Sequence, residues 1–157
     1  MKNTEVALKW IVGILKKYNV PFQIGGGFAA HVYGSPREVA DIDIAIPEEK
    51  FDVILPDIKS YLIFGPEHYV DKDWDLQLMT VSYERQEIDF AGAYQKKFFN
   101  HAKQEWVVFP SDFSTSEYRE VYGIKIPLMA REKLVGYKKL LSREVDIEDL
   151  KALVEQA

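Results

Sequence analysis

Asp41 and Asp43 are the residues of this chain best suited to chemistry, standing two positions apart in Asp41-Ile42-Asp43-Ile44-Ala45-Ile46. Side chains alternate between the faces of a β-strand, so the three isoleucines would enter a core while both carboxylates share the other face. Two anions held that close repel each other, and one takes up a proton unless a cation lies between them. Hard oxygen donors in this arrangement suit Mg²⁺, which leaves further positions for water and phosphate oxygens. Gly25, Gly26 and Gly27 lie just upstream, after the apolar run from Val20 to Ile24 and before a short helix from Phe28 to Tyr33. Glycine lets the backbone turn sharply and approach a ligand, and a helix start presents free N–H groups to an anion. The stretch therefore reads as a phosphate seat beside a metal seat, although it is neither a P-loop nor a dinucleotide-binding glycine motif. Arg37 sits in the turn Gly34-Ser35-Pro36-Arg37-Glu38, four residues before Asp41. There it would touch a phosphate, orient a carboxylate, or stand exposed as an ordinary loop arginine.

In this order the features resemble the signature of the polymerase-β-like nucleotidyltransferase superfamily. They are a glycine pair after a hydrophobic strand, a short helix, and Asp-x-Asp flanked by aliphatic residues. Three glycines stand where many relatives carry Gly-Ser, so the matching pair is Gly25-Gly26 or Gly26-Gly27. The resemblance implies a third carboxylate on a later strand, for which Asp89 in Glu87-Ile88-Asp89-Phe90 qualifies. It implies two Mg²⁺ ions held by Asp41, Asp43 and Asp89, about 3.5–4 Å apart as in other two-metal sites. The implied reaction moves a nucleoside monophosphate from a nucleoside triphosphate, ATP among them, to a hydroxyl acceptor and releases pyrophosphate. Small molecules, RNA ends and proteins remain open as acceptors, as do a homodimer and a partner protein. The segment from Glu132 to Leu153 is similar to the end of small antibiotic-type and toxin-type members, with a lysine-bearing helix and an R-x-x-D-x-x-D tail. On that match Lys138 is a phosphate contact, while Lys133, Lys139 and Arg143 match less well. A plainer reading makes Asp146 and Asp149 the capping pair of a closing helix. The alternative function is a non-catalytic nucleotide- or metal-binding module acting through a partner, as in a toxin–antitoxin pair.

The length of 157 residues with 47% hydrophobic side chains suits one domain with a substantial core. The expected fold class is α/β (α+β), a nucleotidyltransferase-like mixed sheet packed against helices. Residues up to about 92 would form the catalytic core, and those from about 93 to 157 an acceptor wall and C-terminal helices. Absence of cysteine fits a reducing compartment, and no stretch reads as a membrane span or signal peptide, so a cytoplasmic protein is expected. The net charge of -5 argues against a broad nucleic-acid-binding surface.

Several elements must position these residues. Ala7, Trp10, Ile11, Ile14, Leu15 and Tyr18 recur at helical spacing, which predicts an amphipathic helix over 4–18 capped by Thr4. Pro47-Glu48-Glu49 opens a second helix that Pro56 should kink or split, and a loop through Gly65-Pro66-Glu67-His68 follows. Trp74–Tyr83 and Gln86–Ala91 read as a hairpin across Glu84-Arg85. If its second strand lies beside the Asp41 strand, three carboxylates converge; Asp73 and Asp75 are the alternative acid pair. Between Tyr94 and Tyr122 aromatics alternate with Lys96, Lys97, His101 and Lys103, which reads as a core edge or a base-stacking wall. Gly123–Pro127 would be a last strand and Ala130–Ser142 a helix with Leu134, Tyr137, Lys138 and Leu141 on one stripe.

Overall fold

The computed structural model describes residues 1–155. Helix α1 (Thr4–Lys17) buries Ala7, Leu8, Ile11, Val12, Ile14 and Leu15, as the periodicity requires. Its cap is Asn3, whose side chain accepts from the Val6 N–H. Thr4 does not cap, because its hydroxyl donates to Gln86 Oε1 at 2.6 Å and ties the helix to the sheet.

Strand β1 (Gln23–Gly25) runs directly into helix α2 (Gly26–Val32) and returns through a turn into β2 (Asp41–Ile46). A 3-10 turn over Glu48–Lys50 leads into α3 (Phe51–Ile58). Pro56 lies inside α3 without ending it. It stands near the C-terminal end, where only the carbonyl of the exposed Asp52 loses its intrahelical donor, so the expected split does not occur. Residues read as a loop form strand β3 (Leu62–Val70), because β4 (Trp74–Tyr83) supplies a partner, with register shifts between Leu62 and Phe64 and between Phe64 and Glu67. The expected hairpin joins β4 to β5 (Gln86–Gly92), with Glu84 and Arg85 at φ 50° and 63°. Positive φ at both central residues gives the turn the twist of its flanking strands, which is why it forms without Asn-Gly.

The aromatic stretch resolves into β6 (Lys97–Asn100), β7 (Glu105–Val108) and β8 (Glu117–Val121), followed by β9 (Ile124–Leu128). Each is only four or five residues long, and β6 pairs with β7 and β8 with β9 across turns that carry no Asn-Gly or Asp-Gly, so local pattern alone did not mark the first three. The strands form one mixed sheet in the order β7-β6-β4-β5-β2-β1-β9-β8, with β3 also on β4. Its centre is the parallel pair β2–β5, in register from Asp41 against Glu87 to Ile46 against Gly92. Ile42, Ile44, Ile46, Ile88 and Phe90 are all buried and share one core with α1 and α3. The opposite face carries the acids. Helices α4 (Arg131–Leu141) and α5 (Glu144–Glu155) give Leu134 and Leu153 to the main core, while Tyr137, Arg143 and Val145 line a cleft on the acid side.

Candidate active site

The parallel register sets Asp43 directly beside Asp89, and Asp41 one step along the same face. A single slip of either strand would turn these carboxylates into the core, so burial of the isoleucines on the other face fixes the placement of the acids. Thr80, opposite Asp89 on β4, donates its hydroxyl to Asp89 Oδ1 at 2.6 Å. Burial, then the Asp89 and Asp41 charges, push the Asp43 carboxyl up to about 7. Asp89 is also raised, by burial first and by Asp41 and Glu87, against the Thr80 hydrogen bond. Anions on a common, partly dehydrated face, with at least one of them reluctant to ionise, form a donor set that a divalent cation would relieve. Asp41, Asp43 and Asp89 therefore fit Mg²⁺ by donor chemistry. Among the described residues no three His, Cys, Asp or Glu side chains close on a common point tightly enough to enclose an ion.

The glycines press against this acid row. Gly26 has φ +59°, and a methyl group there would fall 2.0 Å from Asp43 Oδ2. A methyl at Gly27 would fall 2.6 Å from Arg37 Nη2. Gly25, Gly26, Gly27, Arg37, Asp41, Asp43 and Asp89 all line one cleft of about 490 Å³. Seven of the eight residues singled out from the sequence thus come together.

The exception is Lys138. Expected at a phosphate, it is 1% exposed and does not line the cleft. Its Nζ is 2.9 Å from Asp149 Oδ2 and 3.3 Å from Asp146 Oδ1. Placement on the same stripe as Leu134 and Leu141 already pointed it inward, since those two residues are core. The two tail acids do more than cap α5. Asp149 accepts from Arg37 Nε at 3.1 Å and Nη2 at 2.7 Å, and from Ser35 Oγ at 2.7 Å. Asp146 accepts from Arg143 Nε at 2.7 Å and Nη2 at 3.1 Å, and from its backbone N–H at 3.1 Å. Lys138 is therefore a buried strut between two carboxylates, each of which grips an arginine at the cleft.

Arg143 was an uncertain match in sequence, yet it lines the cleft with its guanidinium 4.9 Å from the Trp74 ring centre. Lys96 went unsingled among its neighbours. It is 4% exposed, lines the cleft and donates to Ser111 Oγ at 2.7 Å, whereas Lys97 is exposed. Adjacent lysines on a strand entrance face opposite ways, but nothing in the sequence tells which one turns inward. Asp73 and Asp75 do not line the cleft; they bind His101 at 2.8 Å and His68 at 2.6 Å. His31 is exposed, with Nδ1 3.2 Å from the Arg37 carbonyl.

The fold is that of the nucleotidyltransferases: solved structures of that class match this chain over its full length. A nucleotidyltransferase candidate from Thermotoga maritima, TM1012, superposes with a TM-score of 0.74 at 21% identity, covering 100% of this chain and 97% of its own. The lincosamide antibiotic adenylyltransferase LnuA, solved with lincomycin bound, gives 0.62 at 17% identity, with 100% of both chains covered. ANT(2'')-Ia, solved with adenylyl-2''-tobramycin, gives 0.61 at 16% identity over 96% of this chain and 87% of its own. No family model and no curated protein matches the sequence. Among the described residues, no helix is long and apolar enough to cross a membrane.

Proposed function

We propose that this chain is a Mg²⁺-dependent nucleotidyltransferase of the polymerase-β-like superfamily, moving a nucleoside monophosphate from a triphosphate to a hydroxyl acceptor. The observation that carries the reading is the in-register pair Asp43 and Asp89, with Asp41 on the same face and a positive-φ glycine packed on Asp43. The names of two fold neighbours, both concerned with adenylyl transfer, favour ATP as donor.

Mg²⁺ held by Asp41, Asp43 and Asp89 would supply Lewis acidity toward the triphosphate and the acceptor hydroxyl. Gly25, Gly26 and Gly27 let the backbone come close to the phosphates without a side chain in the way. Arg37 faces the same space, and its bidentate grip on Asp149 fixes the guanidinium, so that its positive charge meets the negative charge that builds on the phosphoryl oxygens. Asp89, in register with Asp43 on the same face, would take the proton of the acceptor hydroxyl. The hydroxyl oxygen then forms a bond to the α-phosphorus, the bond to the β-phosphate bridge breaks, and pyrophosphate leaves with the electron pair. Lys138 contributes by holding Asp149 and Asp146 in place.

The test is transfer of label from each of the four α-labelled nucleoside triphosphates into a cell extract with Mg²⁺, with Asp43→Asn as the control. Label should enter a product with the wild type and fall at least about a hundredfold with Asp43→Asn. Equal transfer by both proteins would remove Asp43 from the mechanism. No transfer by either, with nucleotide binding intact, would favour the binding-module alternative.

A further inference from the structure

Beyond the acids the cleft runs along β4 into a wall made by Tyr69, Trp74, Leu76, Leu78, Phe98 and Tyr137. Leu76 and Phe98 belong to a hydrophobic cluster separate from the main core, and the other four pack against it. The Phe98 and Tyr137 rings lie 4.6 Å apart. Burial holds the Tyr137 phenol in its neutral form. Two cations border this wall, Arg143 over Trp74 and the buried Lys96.

Among the described residues, no carboxylate lines the cleft at that end. The acids lining the cleft are Asp41, Asp43 and Asp89, and a transferase commits these to its metal. Carboxylates behind the lining are engaged: Glu48, whose charge acts on Lys96, accepts from the Tyr94 and Gln95 N–H groups, Asp73 is bonded to His101, Asp75 to His68, and Asp146 to Arg143 and Lys138.

We propose that the acceptor taken by this cleft is a small hydroxylated compound with an apolar or aromatic body and no positive charge. The inference rests on the transferase reading of the site and names the class of its second substrate. An ammonium group drawn against the wall would lose its water, face Arg143 and Lys96, and meet no carboxylate among the described residues that line it. A nucleic-acid strand would need a run of cations tracking its phosphates. An aromatic body instead gains from the area that six apolar side chains withdraw from water, while its hydroxyl reaches toward Asp89.

The test is isothermal titration of the full chain, with Mg²⁺ and with or without α,β-methylene-ATP, against three probes. These are 4-nitrophenyl β-D-glucopyranoside, tobramycin, and a short single-stranded RNA with a free 3′ hydroxyl. The aryl glycoside should bind at least about tenfold tighter than either other probe. Leu78→Asp should weaken it by about tenfold or more, and Tyr69→Ala, at a half-exposed ring, gives the same reading if the first variant does not fold. Tobramycin or RNA binding as tightly as the glycoside would overturn the proposal. So would a glycoside that does not bind, or one whose affinity ignores both wall variants. If the glycoside binds the wall while α,β-methylene-ATP does not bind at all, the transferase reading fails separately from the wall's preference.

Discussion

Gly26 shows how little freedom single residues have at this site. Its φ of +59° is costly for any L side chain, and the space a methyl would need is taken by Asp43 Oδ2. Gly26→Ala is therefore expected to cost about 1–3 kcal/mol of stability in urea unfolding and to displace Asp43. Gly27→Ala carries no positive-φ penalty, but its methyl would meet Arg37 Nη2, so its cost falls on the Arg37–Asp149 pair rather than on the backbone. Asp43 gives the opposite sign. Its carboxyl is held among like charges, so Asp43→Asn removes repulsion, and in metal-free buffer its melting temperature should equal or exceed that of the wild type while transfer is lost. A clear fall in melting temperature would mean that Asp43 is a structural residue. The acids were legible because strand alternation among isoleucines assigns their face. Arg143 was not, because its value comes from Trp74, which lies far from it in sequence and meets it only in the folded sheet.

At the scale of elements, α5 is attached to the site by charge. Arg37 precedes β2, Lys138 lies on α4, and Asp146 and Asp149 lie on α5, so one chain of ion pairs joins three elements with little exposed surface. Burial alone would raise the Asp149 pKa, but hydrogen bonds from Arg37, Ser35 and Lys138 hold it below the ordinary value. A carboxyl whose pKa falls on folding adds stability above its unfolded value, near pH 4, and that stability is lost as pH drops further through the folded value. Unfolding free energy should therefore fall from roughly pH 5 to pH 3 more steeply in the wild type than in Asp149→Asn. The variant should already be about 3–5 kcal/mol less stable at pH 7, because it leaves buried cations short of a partner. Equal pH slopes in urea titrations would count against this account. A helix at this place could be read from the sequence. Its ion pairs could not, since a capping pattern explains the same two aspartates without reference to anything distant.

The whole molecule has a rigid centre and a looser rim. Strands β2 and β5 are flanked on both sides and back onto the main core, whereas β7 is an edge strand with Trp106 and Val108 exposed. Strand β6 pairs with β4 only at Trp74–Phe98 and Asp75–Lys97. Amides of β6 and β7 should exchange with deuterium well before those of β2 and β5, which mass spectrometry of peptic fragments would resolve. The central strands were legible because each carries its pattern locally and the hairpin joins neighbours. The rim was not, because its short strands are defined by their partners. Strand β9 lies parallel to β1, with Ile24 opposite Leu128, and carries β8 at the sheet edge. The grip of Asp149 on Arg37 has a consequence for the order in which the protein is made. A ribosome emits the glycine turn and all three cleft acids long before residue 149, and until that residue emerges the arginine beside the glycines has no anchor. A chain halted early would carry the acidic face with Arg37 unanchored, so an unfinished copy would hold the acids of the cleft without the cation that the finished fold fixes beside them.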